Sequence, residues 1–269
     1  MASLPSYYAN LVGSSEYELA LLATWRQAKE NCGNFDKVPF SKEDVVRHGD
    51  ALRNRGILQR KLAVKNVPDI IYTYRARAEL PGEILEHGNF AIIGRGKGLY
   101  AFVKIPRPNR IRLPDDMERS ALKDALPKWV KPYMSKDEQG MLTSVSVNNL
   151  VLRHLRLKRA FRLQSHLRMS VDEYGQVEVD EVYLGKSQDG THVGIAVEAK
   201  DQRDDDLLNI SQLFGANRAL RQLFPKIEHH LLGIKPGCGG KGICICEFTT
   251  PDDVSDLCEA GPWIRYDLI

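Results

Sequence analysis

The chain begins with no basic start and no sustained apolar run, since Met1 to Val12 is polar and aromatic. Neither a signal peptide nor a membrane span is expected, and the expected location is the cytoplasm. Cysteine is scarce and odd in number: Cys32, Cys238, Cys244, Cys246 and Cys258. Without a secretory signal that number argues against a disulfide framework and for reduced thiols. There is also no paired C-x-x-C. Cys244 and Cys246 alternate with Ile243 and Ile245 as buried strand residues do, so a core is expected around them in preference to zinc. His229 and His230 have no partner at ligand spacing and read as surface residues. Repeats and low-complexity tracts are missing. With 43% apolar and 27% charged residues the disordered and membrane classes are excluded, and 269 residues suit two domains.

The net charge of +3 is too small to name a partner, but its distribution is uneven. Basic residues dominate from Arg107 to Arg168. From Asp172 to Asp206 acids dominate, with Lys186, Lys200 and Arg203 the only cations. A basic segment beside an acidic pocket suits an enzyme that grips phosphates while holding a divalent cation.

Leu19, Leu21, Leu22 and Trp25 predict an amphipathic helix over Glu16 to Lys29, with Ser14 and Ser15 available as caps. Ser41 and Asp44 form a capping-box pattern for a second helix that Gly56 stops. Beyond it, Asp69 to Ala78 is rich in Ile and Tyr, and Phe90 to Ile105 carries two apolar runs broken by Gly94, Gly96 and Gly98; together they read as a β-hairpin. Gly94-Arg95-Gly96-Lys97-Gly98 lacks the serine or threonine of a nucleotide-binding loop and is expected to be the hairpin turn, a wing in which Arg95 and Lys97 touch DNA. Two helices and a basic hairpin outline a winged-helix-like domain over residues 1–106. Pro106, Pro108 and Pro114, alternating with Arg107, Arg110 and Arg112, mark a connector over 107–136 that continues neither strand nor helix. In the remaining segment, 137–269, Met141 to Leu163 has helical spacing, Gln176 to Leu184 and His192 to Ala199 read as strands joined at Ser187 to Gly190, and Leu207 to Phe224 reads as a helix. The order is that of a mixed α/β domain.

The residues with chemistry lie on the two strands. In Val193-Gly194-Ile195-Ala196-Val197-Glu198-Ala199-Lys200, alternation puts Glu198 and Lys200 on one face with the Ala199 carbonyl between them. An acid-x-lysine triplet alone is ordinarily a solvated pair at a strand end. Lys200, however, is the only lysine in the chain with an acid two residues before it, and it follows an apolar strand paired with an acidic one. Adjacent strands bring Asp180 and Glu198 within reach of one ion. Two carboxylates and a carbonyl suit Mg2+, and such a centre serves phosphodiester hydrolysis.

At these residues the chain resembles the PD-(D/E)XK nuclease superfamily, and within it type II restriction endonucleases. The resemblance covers roughly Asp137 to Leu223 and departs from the pattern in having Val179 before Asp180 where the family motif has proline. It implies a restriction-endonuclease-like α/β core, Asp180, Glu198 and the Ala199 carbonyl as magnesium ligands, and Lys200 as the catalytic lysine. It further implies Glu138 as a helix-borne acid of the site and Gln212 as a polar site residue on the following helix. Glu181, on the opposite strand face from Asp180, is expected to be a surface or capping acid. Arg153, Arg156, Lys158, Arg159, Arg162 and Arg168, with His154 and His166 among them, are either a solvated helix face or phosphate contacts.

The expected activity is magnesium-dependent hydrolysis of double-stranded DNA by a restriction-type enzyme acting as a homodimer, one centre per strand. Two alternatives stand beside it. One is a repair or junction-resolving nuclease with the same centre. The other is a non-catalytic winged-helix DNA-binding regulator whose C-terminal acids are surface charge.

Overall fold

The computed structural model describes residues 6–13, 15–56, 67–203, 205–240 and 242–269. It is a mixed α/β protein. Its contacts divide it into two units, residues 1–109 with the turn Asp172–Gly175, and residues 110–171 with 176–269.

After a 3-10 turn at Ser6–Tyr8 the first unit enters α1 (Glu16–Glu30), where the Ser15 side chain accepts from the Glu18 N–H and caps the helix start as predicted; Ser14 lies outside the described residues. Leu21, Leu22 and Trp25 form its buried stripe. Trp25 packs edge-on against Phe90 and Phe102, each with ring centres 5.0 Å away. A strand the sequence reading lacks, β1 (Lys37–Ser41), leads into α2 (Lys42–Asn54) through the predicted capping box of Ser41 and Asp44. Gly56, at φ 71°, stops that helix. The expected strand character of Asp69 to Ala78 is overturned: these residues form α3 (Val67–Tyr72) and a π-helical turn at Thr73–Arg77. Ile70, Ile71 and Tyr74 are spaced for one helical face and bury it, which outweighs their β preference. After the short α4 (Gly82–Leu85), β2 (Phe90–Gly94) and β3 (Leu99–Lys104) make the predicted hairpin, and the sheet order is β1-β3-β2.

The second unit holds a seven-stranded sheet. In chain order its elements are β4 (Arg110–Ile111), β5 (Glu118–Leu122), α5 (Glu138–Val147), α6 (Leu150–His154), β6 (Arg159–Val171), β7 (Gly175–Lys186), β8 (His192–Ala199), β9 (Leu208–Asn209), α7 (Ile210–Leu223), β10 (Glu228–Pro236), β11 (Ile243–Phe248) and β12 (Ile264–Leu268). The order across the sheet is β5-β12-β11-β10-β8-β7-β6. Strands β8 and β10 are parallel, as their crossover through α7 requires, while β7 and β8 form the predicted antiparallel hairpin. Val193, Ile195, Val197 and Ala199 on one face of β8 pack with Met141, Leu142, Val145, Leu150 and Val151 of α5 and α6. The other face receives α7 closely because it carries glycine: a Cβ at Gly194 would lie 2.6 Å from the Phe224 ring.

Two expectations change here. The helical reading of Met141 to Leu163 ends at His154. After Arg156, which sits at φ 51°, the chain becomes the long strand β6, at the edge of the sheet, so Arg159, Arg162 and Arg168 are strand residues and not a helix face. The 107–136 segment is more than a connector, since β5 pairs in parallel with β12 at the opposite sheet edge, a position that tolerates its polar sequence. Among the described residues no helix is long and apolar enough to cross a membrane, and no disulfide forms.

Candidate active site

The register of the β7–β8 hairpin sets Glu181 opposite Val197, so one step further Asp180 stands opposite Glu198, and opposed residues share a face. Regular pairing stops there. The Asp180 Oδ2 atom accepts from the Ala199 N–H at 2.7 Å, in the place of a backbone carbonyl. Lys200 N donates to Ile234 O on β10 at 3.0 Å, so alternation turns the peptide groups of Ala199 toward β7 and Asp180. Lys200 Nζ lies 2.7 Å from Glu198 Oε1. All three side chains are buried, with Asp180, Glu198 and Lys200 only 9%, 1% and 6% exposed.

Glu138, in the first turn of α5, joins this group electrostatically. Burial, followed by the Asp180 charge, pushes its carboxyl up to about 8. Burial and then the Asp180 charge push Glu198 up to about 8 as well, against the pull of Lys200. Asp180 is raised by burial. Burial alone would lower the Lys200 ammonium, but Glu198 and Asp180 outweigh it and hold the lysine charged. Three carboxyl groups thus share one ammonium in a site of low dielectric, and their burial and mutual repulsion raise their affinity for a proton, or for another cation in its place.

That raised affinity for a cation, and the donor set, fit magnesium. Among the described residues no three His, Cys, Asp or Glu side chains form a ready-made metal cage. Magnesium needs none, because it keeps several waters and is held by one or two carboxylates. Asp180, Glu198 and the Ala199 carbonyl are the hard oxygen donors that would hold it.

The other predicted residues are more scattered. Gln212 is on the first turn of α7, where its Oε1 accepts from Asn209 Nδ2 at 2.6 Å as part of the helix cap. Arg95 and Lys97 are exposed in the β2–β3 turn of the first unit. Arg153 Nε donates to Asn148 O at 3.2 Å, the Arg156 carbonyl accepts from Gln188, and Arg159 is exposed at the start of β6. Arg162 pairs with Glu181 at 2.6 Å. Glu181 is therefore neither a surface nor a capping acid: it is 1% exposed and also accepts from the Tyr183 hydroxyl at 2.5 Å. The flanking strand β6 brings Arg162 over the face that alternation alone left open. His229 and His230 are half-buried, with His230 Nδ1 2.5 Å from Glu247, so they are not plain surface residues either.

One buried cation escaped the sequence reading. Lys235 Nζ on β10 donates to the carbonyls of Asp201, Arg203 and Asp206 at 2.9, 2.9 and 2.6 Å, fastening the segment that follows Lys200. Its signal was a lone cation in the apolar run Leu231-Leu232-Gly233-Ile234-Lys235. Comparison of the chain with models of known protein families, with curated proteins and with solved structures finds no match.

Proposed function

We propose that this chain is a magnesium-dependent endonuclease that hydrolyses phosphodiester bonds of double-stranded DNA, a PD-(D/E)XK enzyme of the type II restriction kind. The observation that carries the reading is the buried convergence of Asp180 and Glu198, opposed across β7 and β8, with Lys200 on the same face. Burying such groups is costly, and the regulator alternative, in which these acids are surface charge, does not account for it.

In this reading Asp180 and Glu198 bind the ion, and the Ala199 N–H holds the Asp180 carboxylate in place. Bound magnesium supplies Lewis acidity, polarising a phosphoryl oxygen and lowering the pKa of a water. Lys200 places a fixed positive charge where negative charge builds as the water oxygen bonds to phosphorus and the ester oxygen departs. Glu138, whose carboxyl is pushed up to about 8 by burial and the Asp180 charge, would hold or release a proton beside these groups. The first unit is a winged-helix-like recognition domain with Arg95 and Lys97 on its wing, and a homodimer supplies one centre per strand.

The test is incubation of supercoiled plasmid with the protein in magnesium and in chelator. The wild type should convert plasmid to nicked and linear forms only with magnesium, and Asp180→Asn and Glu198→Gln should abolish conversion while binding DNA undiminished. Equal cleavage by either variant removes that residue from the site.

A further inference from the structure

Between β5 and α5 the chain shows an unusual surface. Trp129 is 75% exposed and Tyr133 87%, whereas Trp25 and Trp263 are 1% and 6% exposed. An aromatic ring left in water forgoes a large burial gain, so two of them four residues apart in one short segment mark a surface built for contact. The segment is ordered into two consecutive turns: Val130 N donates to Pro127 O, and a 3-10 turn at Lys131–Tyr133 follows. Lys131 fastens it through an ion pair of 2.5 Å with the largely buried Asp124, which in turn accepts from Asn148 and the Leu126 N–H. Lys128 and Lys136 of the same segment are exposed too, and 127–136 contains no acid.

The segment leads straight into the site. A Cβ at Gly140 would lie 1.8 Å from Ser135 O, so the end of the segment is packed on the first turn of α5, the turn that carries Glu138. A cleft of about 340 Å3 runs between them, lined by Lys131, Met134, Lys136, Asp137 and, from the segment after Lys200, Gln202.

We infer that residues 127–136 form a platform on which Trp129 and Tyr133 stack the bases of an unpaired stretch of the DNA substrate, with Lys128 and Lys136 on its phosphates. Exposed aromatic faces need exposed base faces. An intact duplex offers none along its length, whereas an unpaired strand offers one per nucleotide, and interleaved lysines match its backbone charge. The inference rests on the nuclease reading of the site and deepens it: the DNA the enzyme cuts carries, or is opened to give, an unpaired stretch that residues 127–136 hold.

The test uses the emission of full-length protein in chelator, where Trp129 is the exposed tryptophan. Titration with an unstructured single-stranded oligonucleotide should quench it, and a closed hairpin duplex should not. Trp129→Phe should lose the quench, and Trp129→Ala with Tyr133→Ala should weaken single-strand binding about tenfold or more by anisotropy with unchanged circular dichroism. Lys128→Gln with Lys136→Gln should flatten the salt dependence. Absence of quenching, equal quenching by duplex, or a spectral shift with anionic lipid vesicles in place of DNA overturns the platform. The two readings fail separately. If the oligonucleotide quenches Trp129 but Glu198→Gln still cuts, the centre is wrong and the platform stands. If Glu198→Gln is dead and the oligonucleotide leaves Trp129 untouched, the reverse holds.

Discussion

Glu138 is a residue whose charge state should respond to pH. Its carboxyl is raised from an ordinary 4.5 to about 8 by burial and by Asp180. A carboxyl with a raised native pKa binds its proton more tightly in the folded chain, so folded stability falls as pH climbs from the unfolded value toward 8. In chelator, Glu138→Gln should therefore melt above the wild type by a margin that grows between about pH 5 and about pH 8; thermal melts across that range check it, and a constant margin contradicts it. Asp180, Glu198 and Lys200 were legible in the sequence because strand alternation alone decides which residues share a face. Glu181 was not. Alternation separates it from Asp180 correctly, but its burial depends on β6 lying alongside with Arg162, and no local pattern tells which strand will flank another.

Among the elements, α1, α2 with its capping box, the β2–β3 hairpin, β7, β8 and α7 could be read from periodicity and caps, since each signal is local. Residues 69–78 and 159–168 could not, because Ile and Tyr on a helix, or arginine on an edge strand, take their conformation from what packs on them. The segment after Lys200 belongs to the same class: its described residues up to Leu207 have no regular structure of their own and are held by Lys235 through three carbonyls. Lys235→Met leaves those acceptors without their donor and should cost about 1–3 kcal/mol. It should also slow cleavage and open the chain to trypsin at Arg203. Unchanged denaturant midpoint and unchanged proteolysis would show that the lysine is not what holds the segment.

At the scale of the molecule, the first unit has its own core, running from Tyr8 to Phe102 around Trp25, Phe40 and Ile92. A fragment of residues 1–109 should fold and bind duplex DNA with a salt-dependent affinity but not cut it. A folded fragment without such binding moves recognition to the second unit. The second unit carries the central claim, that Lys200 acts in the reaction and does not merely attract phosphate. The most direct measurement is single-turnover cleavage by Lys200→Ala at saturating enzyme, with a salt titration of binding on the same variant. The account predicts a rate at least about a hundredfold lower with affinity nearly unchanged, the loss expected when one group stabilising the transition state is removed. A rate that survives while affinity falls and the salt slope drops by about one would make Lys200 a phosphate clamp and contradict the proposed centre.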